Sequence, residues 1–278
     1  MISSDAKKFF KSEARKTIYG DWLTHIFAHL LVFVCFAGIV SLGQQMGVLA
    51  YSLGINEHYA SLFLVFYDVA ALFMALPLVY GVMYFEMLCS EGKKPNAAVV
   101  FCAFSSSKKL LSAYELFFAL FIRVLPCFIP AIAVWVYMQY YYSPDIFVFP
   151  IDIVGFDEAY FVLSTVFAAL FFLGLVLSSR FFVGLYVCLK RPYLSKRDAF
   201  YIGSLCCHNN ASGLVSLFFS FLPLLVISLF TVGILLVIYT IPYIMLTFMN
   251  AARFLYETQM NRKDIQKLVY EDRCDGAA

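Results

Sequence analysis

Four ionisable residues stand inside stretches otherwise fit for lipid: Asp68, Glu115, Arg123 and Arg180. A charge in a hydrocarbon environment costs at least a few kcal/mol unless it finds partners, so each marks a candidate site. Arg123 lies in ALFIRVLPCFIP, residues 119–130, which also holds Pro126 and Pro130. Height along the helices decides which charges can meet. Arg123 follows Lys109 by fourteen residues, about 21 Å of helix. Asp68 precedes Glu86 by eighteen, about 27 Å. The two heights differ by about one turn, within reach of an arginine side chain. Arg180 and Glu115 both fall nearer the basic ends of their helices. The expected pairs are therefore Asp68–Arg123, deep, and Glu115–Arg180, shallow. Such pairs either fix helix register or line a substrate or proton pathway.

Other residue sets offer weaker chemistry. Pro77, Pro126, Pro130, Pro223 and Pro242 place a proline in four of the long apolar stretches, as kinks or hinges. Tyr239, Thr240, Tyr243 and Asn250 form a polar stripe at roughly helical spacing, suited to helix–helix hydrogen bonds or to lining a cavity. His25 and His29, four residues apart, could join CCHNN (206–210) as zinc or copper ligands. The two segments are remote and neither has finger-type spacing, so no metal and no cofactor are expected. No Gly-rich phosphate loop, HExxH or GxSxG occurs, and no stretch carries paired carboxylates. An enzyme is not expected.

The elements that must position these residues follow from composition. Hydrophobic residues make up 63% of the chain and charged residues 14%, with a mean hydropathy of +0.83. A soluble domain is nearer half apolar and a quarter charged, so the solvent for most of this chain is lipid. Apolar stretches of roughly 20 residues predict six spans: Leu23–Leu42, Ser61–Phe85, Leu111–Tyr137, Ala159–Leu185, and two within the tract from Gly213 to Phe254. Gly233, in FTVGI, is the expected turn between the last two. Residues 1–22 read as an amphipathic segment, 23–258 as the six-span bundle and 259–278 as a tail, all one all-α integral membrane domain.

Charge placement supports this division. Eighteen of the twenty basic residues lie in the N-terminal segment, after spans two and four, and after span six. The other connections, 43–60, 138–158 and 231–234, hold none. The positive-inside rule then places both termini in the cytoplasm of a cell with this multi-pass protein in its membrane. Topology thus accounts for the basic residues, and a nucleic-acid partner is not expected. The eight cysteines avoid the outer connections, which argues against a disulfide framework.

Two regions resemble each other. Residues 81–128 and 184–225 both begin with a glycine and a nearby tyrosine and reach Lys-Lys-Pro or Lys-Arg-Pro. Each then passes an amphipathic elbow, 97–104 or 196–207, and enters a proline-bearing span. They read either as two copies of one hairpin or as convergent loop chemistry. Ser195 is the expected N-cap of the second elbow, with Ala199, Phe200, Ile202, Leu205 and Cys206 facing inward.

On ARKTIYGDW, GVMYFEMLCSEGKKPNAAVVFCAF, SKRDAFYIGS and YTIPYIMLTFMNAARFLYE, the chain resembles the uncharacterised integral-membrane proteins of Gram-positive bacteria grouped as domain-of-unknown-function family 975. That resemblance implies six membrane helices in a bacterial protein and brings no reaction or catalytic motif. Two function classes fit the residues themselves. One is transport or binding of a small or amphipathic substrate within the bilayer. The other is a non-transporting scaffold or accessory subunit with a membrane-protein partner.

Overall fold

The structure, a computed structural model, describes residues 2–54, 57–142, 158–231 and 234–259. Among these there are ten α-helices and no strand: α1 (Ser4–Gly20), α2 (Trp22–Ser52), α3 (Glu57–Ser90), α4 (Ser107–Tyr142), α5 (Glu158–Ser178), α6 (Phe181–Lys190), α7 (Lys196–Cys207), α8 (Ala211–Phe219), α9 (Leu222–Phe230) and α10 (Ile241–Gln259). A 3-10 elbow, Ala97–Ser105, joins α3 to α4, and a π-helical turn, Leu236–Thr240, leads into α10. Six segments are long and apolar enough to cross a membrane: Trp22–Ser52, Leu64–Ser90, Ser107–Met138, Tyr160–Ser178, Ala211–Ser228 and Leu236–Gln259. The protein is an all-α polytopic bundle.

Several boundaries differ from the sequence reading. The first span runs ten residues beyond Leu42, to Ser52, so most of the expected 43–60 connection is helix. Gly43 and Gly47 explain the extension. They let α2 lie against Tyr67 and Leu64 of α3, where an added Cβ would come within 2.5 Å and 3.0 Å of those side chains. The fourth span does not reach Leu185. It ends at Ser178, turns at Ser179 and Arg180, and restarts as α6. Span five is likewise broken, at Ser220 and Phe221, between α8 and α9. Gly233 and the tail from 260 lie outside the described residues.

The core sits at the basic end of the bundle. Helix α6 is its axis: every residue from Val183 to Leu189 is buried, surrounded by α3, α4, α7 and α10. Toward the other end burial falls away, and Phe66, Phe73, Phe121, Phe161 and Phe230 are exposed, as the apolar composition requires of a lipid-facing surface. Helix α1 closes the basic end. Its apolar stripe, Phe10, Ala14 and Ile18, is buried at four-residue spacing. The helix packs on α10, and Lys11 donates to the carbonyl of Ser220, where α8 ends.

Both elbows fold back onto a glycine of the helix before them. At Gly81 of α3 an added Cβ would fall 1.8 Å from the carbonyl oxygen of Val100. At Gly203 of α7 it would fall 2.4 Å from the Cα of Gly184 in α6. The second elbow buries Ala199, Phe200, Ile202 and Cys206, with Leu205 half-buried, and Ser195 accepts the amide of Asp198 as N-cap.

Candidate functional site

The break between α5 and α6 opens a cavity of about 480 Å³, lined by Arg180, Phe181, Gly184, Phe200, Ser204, Leu205, Cys207, His208 and Ala211. The local sequence explains how it forms. A turn at Ser179–Arg180 starts a new helix with no side-chain cap, and the Phe182 amide bonds the Ser179 carbonyl at 3.3 Å. The Gly184–Gly203 contact brings α7 against α6 and carries Cys207 back to the break, where its thiol donates to the Arg180 carbonyl at 3.4 Å. Arg180 itself is exposed, with its guanidinium 4.9 Å from the ring centre of Phe181.

The electrostatics of this cavity are one-sided. Its lining holds a guanidinium and an imidazole and no carboxylate. The one group that could turn anionic is Cys207, and burial pushes its thiol up to about 12. It therefore stays protonated at neutral pH and neither offsets the arginine nor acts as a thiolate nucleophile. The positive end of α6 adds to the same field. The remaining walls are apolar.

The expected charge pairs do not form. Arg123 donates to the carbonyl of Ala119 at 2.7 Å, and its guanidinium lies 4.6 Å from the ring centre of Phe200. Asp68 is exposed on α3, and among the described residues it has no ion-pair partner. Glu115 is exposed on α4, apart from Arg180. Equal height did not bring the charges together because Asp68 lies on an exposed face of α3, whereas Arg123 bonds its own helix and lies over Phe200. Arg123 and Arg180 instead share Phe200: one sits over its ring, and the other lines the cavity that ring walls. Asp68→Asn should accordingly change stability by no more than about 0.5 kcal/mol, measured by thermal unfolding in detergent. A loss of several kcal/mol would restore the Asp68–Arg123 pair.

The remaining candidates fall into structural places. Pro77 lies inside α3, and Pro126 and Pro130 inside α4. Pro223 is the second residue of α9, where a missing N–H costs nothing, so it starts a helix and does not kink one. Pro242 follows the π-helical turn, which absorbs the backbone change its ring demands. The polar stripe holds helices together. Thr240 and Ser228 hydroxyls lie 2.7 Å apart, Tyr243 lies beside Arg15 of α1, and Asn250 donates to the Phe10 carbonyl at 3.5 Å. Tyr239 stacks on Tyr243. His208 of CCHNN lines the cavity, whereas His25 and His29 meet Glu86. Sequence reasoning missed the cavity because a break in an unbroken apolar run, SSRFF at 178–182, carries neither glycine nor proline.

Comparison with known proteins finds no matching family model, no similar curated protein and no similar solved structure. Function must therefore be argued from the site.

Proposed function

We propose that this protein binds an anionic amphiphile within the bilayer, at the break between α5 and α6, as a transport or ligand-binding protein of a bacterial cell membrane. The observation that carries the reading is a cavity with a guanidinium, a helix start without a side-chain cap and no carboxylate in its lining, walled elsewhere by Phe181, Phe200, Leu205 and Ala211. A carboxylate, sulfate or phosphate head would pair with Arg180, and an apolar tail would meet the phenyl rings. Discontinuous helices whose N-terminal ends face anionic groups are a recurring device of membrane transporters. The basic residues at the end where α6 finishes support a cytoplasmic orientation of that end, and the ligand would then bind in the cytoplasmic half. The resemblance to family 975 fits a protein of this kind and adds no substrate.

The test is binding of a fluorescent fatty acid and of its methyl ester to the purified protein in nanodiscs. The acid should bind and the ester should not compete. Arg180→Gln should weaken the acid roughly tenfold or more, about 1.4 kcal/mol, while Arg180→Lys keeps most of the affinity. Equal binding of acid and ester, or an unchanged Arg180→Gln variant, would sink the reading.

A further inference from the structure

A second cluster lies at the basic end, away from the cavity lining. His25 and His29 on the first turns of α2 face Glu86 and Cys89 on the last turns of α3. Glu86 is fully buried, His25 is 2% exposed and Cys89 5%. The His25 Nδ1 lies 3.1 Å from Glu86 Oε1, and the His29 Nε2 lies 3.6 Å from the same oxygen. Donor atoms of His25, Glu86 and Cys89 all fall within 4.8 Å of one another. Tetrahedral zinc, with bonds of about 2.0–2.3 Å, sets its ligand atoms at roughly these separations.

Hydrogen bonding leaves the cluster short of one positive charge, which a proton or a metal ion would supply. His29 Nδ1 is 2.9 Å from the His25 carbonyl oxygen, which can only accept. The ring proton is therefore on Nδ1, and Nε2 presents a lone pair toward Glu86 Oε1. Two acceptors then face each other. Among the described residues, neither His29 Nε2 nor Glu86 Oε2 has a hydrogen-bond partner, although both are buried. The apolar side chains around His29, including Val32, Val79, Val82 and Met245, supply none.

From this geometry we infer that His25, Glu86 and Cys89 form a binding site for one divalent transition-metal ion of the zinc class, with His29 beside the carboxylate but outside the three-ligand group. An imidazole and a thiolate select such an ion over magnesium or calcium. Charge also balances. A carboxylate and a thiolate against a 2+ ion leave a neutral cluster, as a dry interior requires. Binding releases the Cys89 thiol proton to solvent. The His25 Nδ1 proton moves to Nε2, so that Nδ1 can ligate, and no electron is transferred. All three ligands sit within about two turns of helix ends at the basic surface, so the ion staples α2 to α3 there.

The test uses the full chain, purified in detergent, stripped with a chelator and titrated with cobalt(II). One equivalent should bind and give the visible bands of tetrahedral cobalt with a thiolate-to-cobalt charge-transfer band in the near ultraviolet. Zinc should displace it. Cys89→Ser should lose the charge-transfer band, Cys102→Ser should keep it, and Glu86→Gln should weaken cobalt by at least about tenfold. X-ray absorption of the wild-type zinc protein needs no variant to fold and should show one sulfur among nitrogen and oxygen neighbours. Failure to bind a stoichiometric ion, a charge-transfer band that survives Cys89→Ser, or a shell without a single sulfur would each overturn the site.

Discussion

Gly81→Ala should prevent the protein from accumulating in folded form, although it adds one methyl group. The new Cβ would sit 1.8 Å from the carbonyl oxygen of Val100, 2.5 Å from its carbonyl carbon and 2.7 Å from its Cα. All three are backbone atoms, so no rotamer change makes room. Val100 is itself fully buried, and the elbow that carries it connects α3 to α4. Relief would require moving the elbow away from α3 and opening the core at the basic end. Overpacking typically costs about 1–3 kcal/mol, and a backbone collision belongs at or beyond the top of that range. Gly38→Ala is the matched control. It also lies within a membrane helix, but nothing stands within 4 Å of its new Cβ. It should be neutral or stabilising by up to about 1 kcal/mol. Fluorescence-detected size exclusion after heating would compare the two. Similar melting of Gly81→Ala and wild type would mean that the elbow does not rest on α3.

Gly203→Ala carries the same logic to the second elbow, where the neighbouring atoms are the Cα and N of Gly184, both at 2.4 Å. The two elbows differ in detail: one is 3-10 and the other α-helical, and the helix after the first is continuous whereas the one after the second is broken. What they share is an elbow folded back on a glycine. This shared contact gives a physical reason for the Gly-initiated pattern seen in the sequence at 81 and 184.

The spans were legible because lipid leaves the chain few choices. Backbone polar groups must be satisfied within each segment, so a long apolar run is a helix. The inward face of the second elbow was legible for a similar reason, since Ser195 fixes where the helix begins and the period does the rest. The charge pairs were not. Asp68 precedes Glu86 by eighteen residues, about five whole turns, so a regular helix presents both on one face. Yet Glu86 is fully buried and Asp68 is exposed. Pro77 lies between them, and the core ends before Asp68 is reached. Periodicity reports which residues share a face; it does not report how far along the helix that face remains covered. The cluster around Glu86 did leave a signal. Two histidines four apart begin one helix, and Glu86 and Cys89, three apart, end the next. Consecutive antiparallel spans bring those ends to one height, and partners at i, i+3 and i, i+4 share a face.

Glu86 also supports an asymmetric prediction about stability, measured on chelator-treated protein so that no metal contributes. Replacing Glu86 by Leu should cost less than about 1.5 kcal/mol, the range of a tolerated apolar swap. The two histidines left behind can both be neutral, and His29 keeps its bond to the His25 carbonyl. Replacing both histidines by Leu should cost about 3–5 kcal/mol, because it leaves a fully buried carboxylate without the His25 ring N–H that lies 3.1 Å from it. The inequality comes from what each group needs when its partner is gone. A neutral imidazole carries its own donor and acceptor nitrogens, whereas a carboxylate only accepts and needs a donor beside it. The triple change, with Leu at 25, 29 and 86, should recover most of the loss. Phe85, whose ring meets His25 edge-on at 5.1 Å, can pack against the aliphatic replacement. Denaturant titration of the four proteins would read these differences directly. If Glu86→Leu proved as costly as the double histidine change, Glu86 would be holding the fold through contacts other than these two rings. If the triple change failed to recover, steric fit and not an isolated carboxylate would account for the loss, and the cluster's tolerance of a neutral core would be disproved.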